Sequence, residues 1–254
     1  MASETFGDIG KIEAIRRLLT ESGIPSEAGG ALVPGKGSRV CSSSRLFVEG
    51  IDFDLTYFPL KHLGYKCVVA VTGELLALMA HPKALSLRLG LSAKLDLEHV
   101  RDLWTGVAAA AKEYGFMSVD LDLSPSPNGL LISLSAIGEE SGTTLERTKE
   151  ARTKDLLCIS GRLGAAFLGQ QVLEREKRKF IQTSDDSSQP ELEKYRMLIA
   201  SYLKPELSPS LVSRFEEEEI YPSRGYLVNH GLGAKGHLGL HVKAWVGKGH
   251  QFFS

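Results

Sequence analysis

The sequence predicts an α+β fold, with a strand-rich N-terminal domain under covering helices and a shorter C-terminal α/β part. Strand-like apolar runs recur between residues 46 and 137. A long amphipathic helix, residues 96–114, stands among them. A polar stretch, residues 139–154, then separates this half from a helix-rich remainder. Several strands in one layer under covering helices make the class α+β, grading into α/β.

The elements follow in order. Residues 8–22 carry Ile9, Ile12, Ile15, Leu18 and Leu19 at helical spacing, and Gly23 ends the pattern. Residues 25–44 are rich in Gly and Ser and read as loop. Leu46 to Val48 begins a strand, and residues 65–71 (YKCVVAV) read as a near-continuous apolar one. Residues 74–80 read as a short helix ended by His81-Pro82, and residues 84–91 alternate as a half-buried strand does. In residues 96–114, Leu97, Val100, Leu103, Trp104, Val107 and Ala111 share a face, with Asp96 placed to cap it. Residues 117–123 and 130–137 are strands joined by the turn-forming Ser-Pro-Ser-Pro-Asn-Gly.

Beyond the polar stretch, residues 156–160 read as a short strand and residues 163–180 as a helix. The charged run Glu174 to Lys179 reads as a solvated helix face with i,i+4 pairs. Residues 183–190 read as loop, and residues 191–202 and 208–219 as two further helices. The two expected domains are therefore residues 1–140 and 141–254.

A 254-residue chain with 43% hydrophobic and 24% charged residues has ordinary globular composition. A net charge of −1 gives no global pull toward nucleic acid or an anionic membrane, so no nucleic-acid partner is expected. No apolar run reaches the ~18 residues of a spanning helix. Met1 to Thr5 opens no secretory signal, and the expected location is the cytoplasm. Cys41, Cys67 and Cys158 lack metal-like spacing and read as reduced, mostly buried thiols.

Three motif matches are near-misses. Residues 30–38 (GALVPGKGS) approach the phosphate-binding loop, but Gly37 stands where its hydroxyl residue belongs. Gly231, Gly233 and Gly236 copy a dinucleotide fingerprint with no βαβ unit after it. His230, His237 and His241 would share a helix face, but the interleaved glycines disfavour that helix.

Three segments carry a resemblance. The first is residues 48–57 (VEGIDFDLTY) with 59–66 (PLKHLGYK), and the second is Pro82 through Leu89-Gly90-Leu91-Ser92. The third is residues 155–161 (DLLCISG) with 163–171 (LGAAFLGQQ) and 173–177 (LEREK). In order and spacing they resemble the thiamine-phosphate kinases, of the aminoimidazole ribonucleotide synthetase-like superfamily. The resemblance implies a dimerising N-terminal α/β domain, a C-terminal α/β domain and a site in the cleft between them. It also implies ATP-dependent phosphoryl transfer to thiamine phosphate. Such chemistry rests on positioning and on magnesium, which takes oxygen ligands and hence a cluster of aspartates.

The departures are concentrated in that cluster. The family's Gly-Asp-Asp-Ala-Ala-Val aligns with residues 27–32 (EAGGAL), without its aspartates. Its Thr-Thr-Asp becomes Ser43-Ser44-Arg45, and its Ser-Asp becomes Gly73-Glu74. Its Gly-Gly-Asp-Thr reads Asp120-Leu121-Asp122-Leu123, and its Asp-Ile-Ser-Asp-Gly reads Leu227-Val228-Asn229-His230-Gly231. The resemblance thus leaves Ser43, Ser44, Glu74 and Asp122 as metal ligands, Arg147 for nucleotide and Asp52 for substrate. An arginine at position 45 opposes a divalent ion, at roughly 4 kcal/mol per unit-charge pair ~4 Å apart.

The expectation is a diverged, C-terminally shortened member with no competent catalytic residue. It would act as a structural or partner-binding subunit, a homodimer meeting a further protein. The alternative is a kinase with an altered site, using Mg and ATP; otherwise no cofactor is expected.

Overall fold

Side chains alternate between buried and open along residues 131–140, so this strand buries one face and leaves the other free. A computed structural model describes residues 31–34, 38–141, 164–182 and 192–220. Its strands are β1 (Ala31–Pro34), β2 (Ser38–Val48), β3 (Ala80–Leu91), β4 (Ser118–Pro125) and β5 (Leu131–Ser141). They form one mixed sheet in the order β1-β2-β5-β3-β4, antiparallel except for the parallel pair β3–β4. The fold is α+β, as the sequence predicts.

Helix α1 (Leu60–Ala77) lies against the sheet, and every residue from Leu63 to Leu76 is buried. The sequence reading made residues 65–71 a strand, and the structure corrects it. Burial on all sides removes the polar face that would reveal a 3.6-residue period, while Val68, Val69 and Val71 imitate a strand composition. Glu74 belongs to this same helix, and Ala80 already opens β3. The loop reading of residues 25–44 is corrected too, since β1 and most of β2 fall within it. The near-match at residues 30–38 therefore spans the β1–β2 pair, not a strand-to-helix turn.

Helix α2 (Leu97–Glu113) forms as its sequence predicts. Asp96 accepts from the backbone N–H of His99 at 3.1 Å, and the His99 side chain closes the reciprocal half of a capping box. The unit β3–α2–β4 is a parallel crossover. Because β5 returns between β2 and β3, the turn at residues 126–130 joins β4 and β5 in sequence without pairing them, and β4 is the last strand on that side among the described residues.

Helix α3 (Ala165–Gln182), a 3-10 turn (Glu193–Tyr195), α4 (Arg196–Leu203) and α5 (Leu211–Glu217) complete the described elements. The core is continuous from the sheet into them, because Ala166, Leu173 and Tyr202 share one buried cluster with Val68, Leu87 and Leu134. Residues 139–141, expected to open a linker, are the end of β5. The expected helix over residues 8–22, the strand at 156–160, the loop at 183–190 and the glycine-rich tail lie outside the described residues.

Candidate functional site

On β2, Cys41, Ser43 and Phe47 are buried and Arg45 is partly buried, while Val40, Ser44 and Leu46 are exposed. Odd-numbered positions therefore face α1 and even-numbered ones the uncovered face. Ser43 and Ser44 consequently point to opposite sides of the sheet. Ser44 is hydrogen-bonded across the open face to Ser135, 2.8 Å away and directly opposite in register.

Glu74 projects from α1 toward β2, where it meets Arg45. The guanidinium Nη2 lies 2.6 Å from Oε1, with side-chain exposures of 19% for Arg45 and 5% for Glu74. Burial pushes the Glu74 carboxyl above the usual carboxylate range, and the charge and hydrogen bond of Arg45 pull it part of the way back. The acid expected as a ligand is thus paired with the arginine that the resemblance sets in place of a neighbouring acid.

Asp122 lies elsewhere. It is exposed on β4 opposite Arg88 in register, 3.9 Å from that guanidinium. Asp120 makes the closer ion pair with Arg88, at 2.6 Å. Arg88 is exposed between buried Leu87 and Leu89, so this acidic pair belongs to the open face, across the sheet from Glu74. Asp52 accepts a hydrogen bond from the N–H of Val48 at 2.9 Å, closing the turn after β2. Arg147 lies outside the described residues.

The four expected ligands therefore do not converge. Ser43 and Glu74 lie on one side of the sheet, Ser44 and Asp122 on the other. Among the described residues, no group of three or more His, Cys, Asp or Glu is placed to hold a metal ion. Magnesium requires several oxygen donors around one point, and this donor set does not supply them.

A second group, absent from the sequence reading, joins α3 and α4 to the sheet domain. Lys66 is fully buried and its Nζ has no hydrogen-bond partner. It sits 3.5 Å from the ring centre of Tyr202 and 5.0 Å from that of Phe58. Burial drives its amine well below the ordinary lysine value. Nearby, Tyr57 donates to Glu174 at 2.5 Å, and Lys177 forms an ion pair with Asp54. Glu174 and Lys177 are therefore not part of a purely solvated face, as the charged run suggests. Their only signal in the sequence is co-occurrence, the segments around Tyr57, Lys66 and Glu174 being among those that carry the resemblance.

Residues 27–139 match the family model of the AIR synthase related protein N-terminal domain. The thiamine-monophosphate kinase of Corynebacterium glutamicum is 28% identical over 174 residues, covering 67% of this chain and 52% of that relative. The chain thus spans about half the length of that curated relative. Among solved structures, a ThiL protein complexed with AMPPCP and TMP has a TM-score of 0.68 at 19% identity. That match covers 85% of this chain and 66% of the other. The thiamine monophosphate kinase of Aquifex aeolicus has the same TM-score at 21% identity, with 84% and 66% covered. At these identities the structural likeness establishes the fold.

Proposed function

As a member of the thiamine-phosphate kinase family, in the aminoimidazole ribonucleotide synthetase-like superfamily, this chain, we propose, keeps the fold without a working metal site. It acts through its surfaces, as a structural or partner-binding subunit. The observation that supports this reading is the division of the expected magnesium ligands between the two faces of the sheet, with Glu74 held by Arg45.

In this reading the chain divides near residue 140 and forms a homodimer through its N-terminal unit. It meets a further protein in the cytoplasm. Support for a docking role comes from β4, at the end of the sheet, whose Leu121 and Leu123 are 39% and 47% exposed. No helix among the described residues is long and apolar enough to cross a membrane.

Relatives named thiamine-monophosphate kinase keep the other reading in play. In it, the chain transfers phosphate from Mg-ATP to thiamine phosphate through an altered site, with Arg147 on nucleotide and Asp52 on substrate. Isothermal calorimetry with Mg-ATP and thiamine phosphate separates the two. We expect no binding heat at millimolar ligand; saturable heat dependent on magnesium would overturn the subunit reading.

A further inference from the structure

Granted the loss of the metal site proposed above, we infer that Arg45 is a built-in counter-cation, a guanidinium fixed where Glu74 would otherwise demand a bound ion. Glu74 is 4% exposed and sits in a helix whose neighbours are nearly all apolar. A carboxylate in such a place must find a positive partner or take up a proton. Arg45 reaches it from the adjacent strand with an ionic hydrogen bond of 2.6 Å. Among the described residues this guanidinium is the charge that answers the acid, and the pair needs no divalent cation.

Among the described residues, position 45 supplies this charge. Ser43 stands two residues earlier on the same inward face of β2 and is 2% exposed. Arg45→Asp would put a second carboxylate on the inward face of β2 toward Glu74, with the Ser43 hydroxyl on the same face. That is an all-oxygen set suited to a hard divalent ion completed by water. Without the ion, two carboxylates facing each other in a poorly solvated place repel. The substitution should therefore turn a metal-indifferent protein into a metal-dependent one.

The experiment is thermal unfolding of the full chain and its variants, in EDTA and in millimolar magnesium or manganese chloride. The wild type should melt at the same temperature in each. Arg45→Asp should melt lower in EDTA and recover part of the loss in manganese or magnesium, and Glu74→Gln in the same chain should abolish the recovery. A wild type stabilised by the metals as much as the variant would overturn the inference. So would an Arg45→Asp protein whose melting ignores them.

Should Arg45→Asp fail to fold, Arg45→Ala, Glu74→Ala and the double variant provide a second route. Arg45→Ala should lower the midpoint by about 5 °C or more, since it strands a buried charge. Glu74→Ala in that background should return part of the loss; additive losses would overturn the counter-cation. Metal-dependent binding of ATP by the wild type would instead overturn the proposed loss of activity. The Arg45–Glu74 coupling would still stand or fall on its own measurement.

Discussion

Lys66 poses the sharpest question at the scale of single residues. Its amine is enclosed between Phe58 and Tyr202 with no hydrogen-bond partner, and burial holds it well below the ordinary value of 10.5. The unfolded chain therefore binds more protons than the folded one between that lowered value and 10.5, and stability rises with pH across the interval. Cys67 and the nearby tyrosines are shifted upward by burial, so they oppose the trend from about 8 upward, where unfolded thiols begin to ionise. The Lys66 slope should stand clear in the part of that interval below about 8. Lys66→Met, which keeps the aliphatic stem, should stabilise the neutral protein by about 1 kcal/mol or more and flatten that slope. Urea unfolding at several pH values measures both, and an unchanged slope would remove Lys66 as its source. The resemblance sets Arg45 in the place of an acid and keeps an acid at Glu74. Their pairing is not legible from sequence, because it depends on α1 being a helix that lies against β2. Nor is the split between Ser43 and Ser44, since adjacent hydroxyls look equivalent until a strand sends them to opposite faces.

Between elements, the contact of α1 with α2 is set by two glycines. A Cβ added at Gly106 would stand 1.8 Å from the carbonyl oxygen of Lys61, and one added at Gly64 would stand 2.1 Å from that of Leu103. Helix propensity alone favours Gly106→Ala by up to about 1 kcal/mol. Forced separation of two packed helices costs more, typically 1–3 kcal/mol or above. Gly106→Ala should therefore lower the urea midpoint, with a net loss of about 1–2 kcal/mol. A raised midpoint would show that the helices part freely. The same packing explains which elements the sequence discloses. Helix α2 has one wet face and a capping residue, so its period and start are both visible. Helix α1 is buried on nearly every side, and its valines gave it the composition of a strand. β2 is hidden for the opposite reason, because its open face includes Ser42 and Ser44, residues that read as loop.

Across the whole molecule, the core bears on whether the two expected domains unfold separately. Tyr202 from α4 and Leu173 from α3 belong to the cluster that also holds Val68 of α1 and Leu134 of β5. Two further links run from α3 to the segment before α1, Tyr57 with Glu174 and Asp54 with Lys177. A division near residue 140 is natural from sequence, because residues 139–154 are polar and the resemblance implies two domains. A polar connection shows only where the chain runs over a surface, and it is silent on whether the elements it joins share a core. The described helices and sheet should therefore melt in one transition. Far-UV circular dichroism reports all the helices, and Trp104 on α2 reports the sheet domain once Trp245→Phe removes the other indole. The two probes should give coincident curves. Tyr202→Ala, which deletes a fully buried ring, should shift both together by about 3 kcal/mol or more. If the helical signal fell first while Trp104 kept its native emission, α3 and α4 would be a separate unit resting on the sheet domain. A single shifted transition would instead make Tyr202 and Lys66 part of what holds the sheet domain folded.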